Sequence, residues 1–196
     1  MSNVFIEKYF NNFSDLIKKI DIEAINKAIE ILKELQNKKG RLFILGVGGS
    51  AGNASHSVND FRKLCNIETY TPTDNISEIT ARTNDEGFQT IFEEYLKVSK
   101  LSDKDVLLIL SVGGGNESLN ISTNLIRAIK YAKSLNSNVI SIVGKNDGYA
   151  YENSDCSILV SPDDKLFLTP ISESMQVVIW HLLVSHPDLK INHTKW

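Results

Sequence analysis

The chain has 196 residues, of which 42% are hydrophobic and 23% charged, a composition typical of a globular protein. Its formal net charge is −3 and it contains no basic block, which disfavours non-specific binding to nucleic acids or to membrane surfaces. No apolar run approaches the roughly 18 residues of a membrane span. The N-terminus lacks the cationic start and apolar block of a secretory signal. Cys65 and Cys156 lie far apart and form no metal-type pair, so we expect a cytoplasmic protein.

Residues 4–39 carry apolar side chains at helical spacing and predict two consecutive helices. Asp21 stands where a cap for the second helix is expected. Apolar side chains lie on more than one side of that helix. This pattern fits packing on a sheet and also fits a contact between subunits.

Short apolar runs alternating with helical stretches make up the rest of the chain. The predicted strands are RLFILG (41–46), IETY (67–70), DVLLILS (105–111), NVISIVG (138–144) and CSILV (156–160). The predicted helices between and after them are 51–64, roughly 87–99, 118–135 and 171–184. This alternation predicts a single three-layer α/β domain over residues 1–196, with a parallel sheet covered by helices on both faces. The common strand order for five such strands is 2-1-3-4-5, and ligands then bind where the order reverses, between strands 1 and 3.

A glycine-rich turn, GVGGSAGN, follows the first predicted strand. Close approach at Gly48 and Gly49 would expose backbone N–H groups to an anion, Ser50 could add a hydroxyl, and a helix N-terminus follows. The turn is neither a P-loop nor a dinucleotide fingerprint. A tight turn that merely needs glycine is the alternative.

A second such loop, SVGGGNES (111–118), follows the third predicted strand. It offers the Ser111 and Ser118 hydroxyls and three glycines that include Gly113. Because the two loops would meet at one crevice, together they predict a site for a phosphate or a sugar phosphate. Glu117 would repel a phosphate if its carboxylate pointed inward.

Two pairs of polar residues have helical spacing. His56 and Asp60 are four residues apart and share a helix face. Glu173 and His181 are eight residues apart on the last predicted helix, and one face can carry both. Two imidazoles and two carboxylates form a donor set that could hold zinc. The alternatives are a solvated helix face for the first pair, and a surface glutamate with a packing histidine for the second.

The segment DNISEITARTNDEG (74–87) is unusually polar. Asp74 is expected to cap a helix, and Asn84 and Asp85 are expected in a turn. These side chains either bind sugar hydroxyls or belong to a surface loop.

Four stretches, GVGGSAGNASHSVND, TARTNDEG, LLILSVGGGNES and ESMQVVIWHLL, resemble in order and spacing the sugar isomerase (SIS) family, in particular its phosphoheptose isomerases. The resemblance implies a five-stranded parallel sheet with an N-terminal helical pair, usually in a homotetramer. It also implies interconversion of sedoheptulose 7-phosphate and D-glycero-D-manno-heptose 7-phosphate for bacterial surface heptose synthesis.

The residues at the family's functional positions follow from the same match. It implies zinc ligands at His56, Asp60, Glu173 and His181. The match and the two glycine-rich loops together predict these substrate contacts: Val47, Gly48, Gly49, Ser50, Asp60, Asn84, Asp85, Ser111, Gly113, Ser118 and Glu173. Asp60 would be the general base and His181 the general acid of an isomerisation through an enediol.

Three positions depart from the family pattern. Asp60 replaces the usual glutamate, Glu173 replaces the usual glutamine, and SVGGGNES replaces the usual Ser-Thr-Ser-Gly-Asn-Ser loop. A second carboxylate makes the expected metal site more anionic, which favours a divalent cation. The alternatives are a related isomerase for a sugar phosphate of another chain length, or a non-catalytic SIS module that senses sugar phosphates or binds a partner.

Overall fold

The computed structural model describes residues 2–194. Its helices are α1 (Ser2–Lys19), α2 (Ile22–Lys38), α3 (Gly49–Cys65), α4 (Ile76–Asp85), α5 (Ile91–Val98), α6 (Thr123–Ser134), α7 (Tyr149–Asn153) and α8 (Leu168–Ser185). Its strands are β1 (Arg41–Gly46), β2 (Glu68–Tyr70), β3 (Val106–Ser111), β4 (Asn138–Val143) and β5 (Cys156–Leu159). Short 3₁₀ turns at Pro72–Asp74 and Lys165–Phe167 precede α4 and α8.

The strands form one parallel sheet in the order β2-β1-β3-β4-β5, which confirms the predicted topology. β1 pairs with β3 from Leu42 opposite Val106 to Gly46 opposite Leu110. The connection from β1 runs to one side of the sheet and the connection from β3 runs to the other. A crevice therefore opens beyond the carboxyl ends of these two strands.

Two apolar cores cover the two faces of the sheet. Leu42 and Ile44 of β1 pack into the core formed with α2, α3 and α8. Phe43 and Leu45, which point the other way, pack against α5 and α6. This period of two is what a strand buried on both faces requires. The central strand β3 is buried along its whole length.

Of the described residues, one segment, Lys165–Ser185, has the length and mean hydropathy (1.3) of a membrane span, and half of its most apolar window is buried inside the protein. Trp180 and Leu183 on this segment are fully buried in the core shared with α3. A core helix of a globular domain shows the same properties.

Several element boundaries differ from the predictions. Helix α6 begins at Thr123 rather than at residue 118, because residues 116–122 form a loop closed by backbone pairing of Asn116 with Ile121. Segment 76–85 is helix α4, so Asn84 and Asp85 lie in its last turn. Its cap is Asn75, whose side chain accepts from the Glu78 N–H, whereas Asp74 pairs with the Ser55 hydroxyl.

Candidate active site

The crevice between β1 and β3 contains a hollow of about 580 Å³, hereafter the carboxyl-edge hollow. Its lining residues come from three connections at this edge of the sheet: Val47, Phe88, Gln89, Asn120, Ser122, Thr123 and Asn124. The glycine-rich turn after β1 therefore contributes to the hollow through Val47. The β3–α6 loop contributes through its last residues and not through its glycines.

The first turn of α6 supplies the polar groups of the hollow. Asn120 and Ser122 have left-handed backbone conformations, with φ of 54° and 49°. Non-glycine residues adopt this conformation rarely, and it is concentrated at functional sites. The Asn124 side chain is buried, and its Oδ1 accepts from the Leu125 N–H at 2.8 Å. Its Nδ2 is buried and has no hydrogen-bond partner among residues 2–194.

Sequence reasoning missed Ser122, Thr123 and Asn124 because it extended the helix back to residue 118. Inside a helix these side chains would have no reason to converge on a cavity. The signal that could have found them is Ser-Thr-Asn immediately before the apolar run Leu125–Ile126, which is typical of a helix start.

The glycines of SVGGGNES lie close to the start of α7. A Cβ atom on Gly148 would stand 2.1 Å from the Gly113 carbonyl oxygen, so residue 148 must be glycine, whereas a Cβ on Gly113 would meet open space. The carbonyl oxygens of Gly114 and Gly115 accept from the N–H groups of Ala150 and Tyr149 at the start of α7.

The polar residues of this loop also bond within it. The Ser111 hydroxyl accepts from the Gly114 N–H at 3.0 Å, and the Ser118 hydroxyl donates to Asn116 Oδ1 at 2.8 Å. Glu117 pairs with Lys130 at 2.5 Å and is directed toward α6, so it does not repel an anion in the hollow.

Glu173 of α8 lies beside the glycine turn after β1, at the start of α3. Gly48 caps this helix with φ of 64°, and Ser50 is buried in its first turn. The Glu173 carboxylate lies against Gly49, where a Cβ would stand 2.5 Å from its Oε2. Asn53 holds the two helices together by donating to the Glu173 carbonyl oxygen and to Gln176 Oε1, both at 3.0 Å.

His56, Asp60 and His181 form a second polar group, hereafter the histidine–aspartate cluster. Their donor atoms all lie within 4.8 Å of one another. Asp60 Oδ2 is 3.8 Å from His56 Nε2 and 3.6 Å from His181 Nε2. Asp60 is the buried member, with 10% of its side chain exposed, while the imidazoles are 58% and 47% exposed. Asn59 Nδ2 donates to the other carboxylate oxygen at 2.8 Å.

Burial lowers the pKa of His181 below its usual value, and the nearby His56 adds to this effect while the Asp60 charge opposes it. A larger share of the imidazole is therefore neutral at neutral pH. Neutral histidine and ionised aspartate are the forms that ligate metals, so these three residues can hold a metal ion.

Other predicted residues lie apart from the histidine–aspartate cluster. Glu173 precedes His181 by eight residues on α8, which separates their backbones by roughly 12 Å. Within one chain it therefore belongs to the glycine turn rather than to the cluster. Asn84 and Asp85 are exposed at the end of α4 and bond to each other at 2.8 Å, outside the lining of the hollow.

The two cysteines are free, buried thiols. Burial raises the pKa of Cys65 to about 12 and that of Cys156 to about 11. Since the thiolate is the nucleophilic form, neither residue is suited to covalent catalysis.

Comparison with known proteins agrees with this architecture. The sequence profile of the SIS domain family matches residues 8–144, which is more than half of the chain. The chain belongs to the SIS domain family. The five parallel strands and the N-terminal helical pair are those that the resemblance implied.

Two curated relatives and one solved structure show how far the similarity extends. The chain is 30% identical over 171 residues to the lincomycin biosynthesis protein LmbN of Streptomyces lincolnensis, covering 84% of this chain and 62% of that protein. It is 28% identical over 203 residues to the phosphoheptose isomerase of Aliarcobacter butzleri, covering 98% and 100%. It shares its fold with phosphoheptose isomerase GmhA from Neisseria gonorrhoeae at a TM-score of 0.78 and 23% identity, covering 93% and 95%.

Proposed function

We propose that this SIS-domain protein is a cytoplasmic phosphoheptose isomerase, which interconverts sedoheptulose 7-phosphate and D-glycero-D-manno-heptose 7-phosphate for bacterial surface heptose synthesis. The observation that carries the proposal is the buried Asp60 carboxylate, whose Oδ2 faces the Nε2 atoms of His56 and His181. Relatives of the same length as this chain carry that activity as their name. Free, unpaired thiols suit a reducing compartment.

Isomerisation moves one proton between adjacent carbons, so it needs a base beside the carbon and an acid beside the oxygen. Asp60 Oδ2 removes the proton from the carbon next to the carbonyl group, and an enediol forms. His181 supplies a proton to the carbonyl oxygen and takes one back from the neighbouring hydroxyl. Asp60 then returns its proton to the other carbon, which balances the reaction. Asn59 holds the second oxygen of the base in place.

Zinc fits the donor set of the cluster. His56, Asp60 and His181 provide two imidazoles and one carboxylate, the N/O ligands that catalytic zinc sites combine with an open position. When bound there, zinc would polarise the substrate oxygens and stabilise the negative charge of the enediol in place of His181, since an imidazole nitrogen that ligates a metal has no proton to supply. Glu173, the fourth ligand that the resemblance implied, has its carboxylate against Gly49 in this structure, outside the cluster.

The phosphate and the reacting carbons require two copies. Asp60 lies 11 residues into α3, roughly 16 Å from the turn at the hollow, whereas reacting atoms must approach to about 3 Å. A seven-carbon sugar phosphate is shorter than this separation. We therefore place the phosphate in the carboxyl-edge hollow of one chain and the sugar carbons at the histidine–aspartate cluster of a neighbouring chain.

A homotetramer would supply such neighbours. Helix α1 exposes half or more of several apolar side chains: Val4 (68%), Phe5 (54%), Ile6 (50%), Phe10 (65%) and Ile17 (50%). An apolar surface of this kind is typical of subunit contacts. We therefore propose that subunits associate through helix α1.

The decisive experiment is incubation of the purified protein with sedoheptulose 7-phosphate in D₂O, followed by product analysis and mass measurement. We expect the aldose product, with a solvent deuteron at carbon 2 in those molecules for which the proton on Asp60 exchanges with D₂O before it is returned. Parallel assays with five- and six-carbon ketose phosphates identify an isomerase for another chain length. If Zn²⁺-loaded protein binds sugar phosphate saturably without turning it over, the protein is a sugar-phosphate sensor and not an isomerase.

A further inference from the structure

Among the residues that the structure describes, Trp180 is the largest fully buried side chain, and it touches both imidazoles of the histidine–aspartate cluster. Its ring centroid is 4.7 Å from that of His56, in an edge-to-face arrangement with an interplanar angle of 71°. It is 3.7 Å from the His181 ring, at 51°. The two imidazole rings are themselves 5.6 Å apart.

The contact with His181 is unusual for neighbours in a helix. Consecutive residues of an α-helix project about 100° apart and do not face each other. A centroid distance of 3.7 Å therefore requires the His181 ring to fold back over the indole. This fold is the rotamer that brings its Nε2 to 3.6 Å from Asp60 Oδ2.

Hydrogen bonds to Asp60 do not fix the imidazoles. The two N–O distances, 3.8 and 3.6 Å, exceed those of hydrogen bonds. About half of each imidazole side chain is exposed to solvent, where packing does not restrain it. The indole ring is a rigid surface beneath both of them.

Tryptophan at position 180 buries a hydrogen-bond donor that is unpaired among residues 2–194, and core packing alone does not explain why this residue is present. The Trp180 Nε1–H is buried and has no hydrogen-bond partner in the described part of the chain. A phenylalanine or leucine would fill a core position without an unpaired donor. The wide indole ring is, by contrast, large enough to reach two imidazoles from different helices.

We propose that Trp180 is a positioning residue, whose buried indole ring holds His56 on α3 and His181 on α8 in the orientation in which their Nε2 atoms converge on Asp60. Residues that orient metal-ligating histidines usually do so by hydrogen bonds, and their loss costs about 10- to 100-fold in metal affinity. Here an aromatic surface has that function. The zinc part of this inference rests on the proposed function, whereas the orientation of the rings does not.

The test compares metal-free wild type with Trp180→Leu and Trp180→Phe by NMR of the histidine Cε1–H groups. The chain has four histidines, and His186 and His193 serve as internal references. We expect the Leu variant to shift the resonances of His56 and His181 and not those of the references, because it removes the ring current. The Phe variant keeps a ring and should give smaller shifts. Unchanged His56 and His181 resonances in the Leu variant would overturn the proposal.

A second readout is the affinity for Zn²⁺ alone, measured by competition with a chelator. Trp180→Leu should weaken binding about 10- to 100-fold, with partial recovery in Trp180→Phe. The matched control is Phe92→Leu, a fully buried aromatic in the core on the opposite face of the sheet. An equal loss of Zn²⁺ affinity in this control would show that Trp180 acts only by packing in the core and does not position the imidazoles. If wild type binds no Zn²⁺, the zinc part of the proposed function fails, and the NMR comparison still decides the role of Trp180.

Discussion

The carboxyl-edge hollow and the histidine–aspartate cluster contrast in almost every physical property. The hollow is lined by backbone, hydroxyl and amide groups from loops at the end of the sheet, and no charged residue is among its described lining. The cluster is built from two imidazoles and a buried carboxylate on the middle turns of two packed helices. The first arrangement suits recognition of an anion, and the second suits proton transfer.

Their separation within one chain has a consequence for catalysis. Loops at a strand end can change their residues without disturbing the core, whereas side chains on α3 and α8 depend on the packing of the two helices. The proposed function therefore assigns recognition and chemistry to surfaces of different rigidity, which association of subunits would bring together. Variants of the two regions should then fail in different ways.

The largest effect is expected from Asp60→Asn. The amide keeps the shape of the carboxylate but cannot accept the substrate proton at neutral pH, so kcat should fall about 10²- to 10⁴-fold. The KM for the sugar phosphate should change little, since the proposed function places the phosphate in the hollow, away from Asp60. Steady-state kinetics measure both, and circular dichroism checks the fold. Turnover close to wild type would remove Asp60 as the base.

Mixing two inactive variants tests whether the hollow and the cluster of one active site come from different chains. Asp60→Asn spoils the cluster, and Ser122→Glu places a carboxylate in the hollow against the phosphate. If each active site combines two chains, random reassembly of an equal mixture should restore about a quarter of the sites. Each variant reassembled alone is the control. A mixture that remains inactive would place both regions of the site in one chain.

An intermediate effect is expected from Ser122→Ala. Loss of a hydrogen bond to a charged phosphate costs about 1.5–3 kcal/mol, which corresponds to a fall in kcat/KM of roughly 10- to 150-fold. The matched control is Ser118→Ala in the same loop, whose hydroxyl is already bonded to Asn116. Kinetics of the two variants decide between them. A larger loss in the Ser118 variant would restore the sequence-based prediction for that residue.

The smallest effect is expected from Gly49→Ala. Its Cβ would displace the Glu173 carboxylate, which is the end of a flexible side chain, so the free energy of unfolding should fall by less than about 1 kcal/mol. If Glu173 contributes to the site, kcat/KM should fall as well. Gly52→Ala is the control, because a Cβ there meets open space. That variant should gain about 0.5–1 kcal/mol of helix stability and keep its activity. Denaturant titration and kinetics measure both, and wild-type kcat/KM in Gly49→Ala would leave Glu173 without a role.

The sequence by itself determined the layered α/β architecture, because β1 and β3 are apolar on both faces and the helices between them have helical periodicity. It also determined the pairing of His56 with Asp60, since a spacing of four residues on a helix fixes that proximity. The approach of His181 followed from family resemblance rather than from spacing, because no local pattern connects α3 with α8.

Only the tertiary structure decided which polar groups serve which region. The start of α6 depends on the backbone pairing of Asn116 with Ile121, which no helical periodicity encodes. It places Ser122 and Asn124, and not Ser118, in the lining of the carboxyl-edge hollow. The contact of the Gly113 carbonyl oxygen with Gly148, a residue distant along the chain, also appears only in the folded protein. Long-range contacts of this kind depend on how whole elements pack, which is why Glu173, the glycine loop and Trp180 acquired their places only in the folded chain.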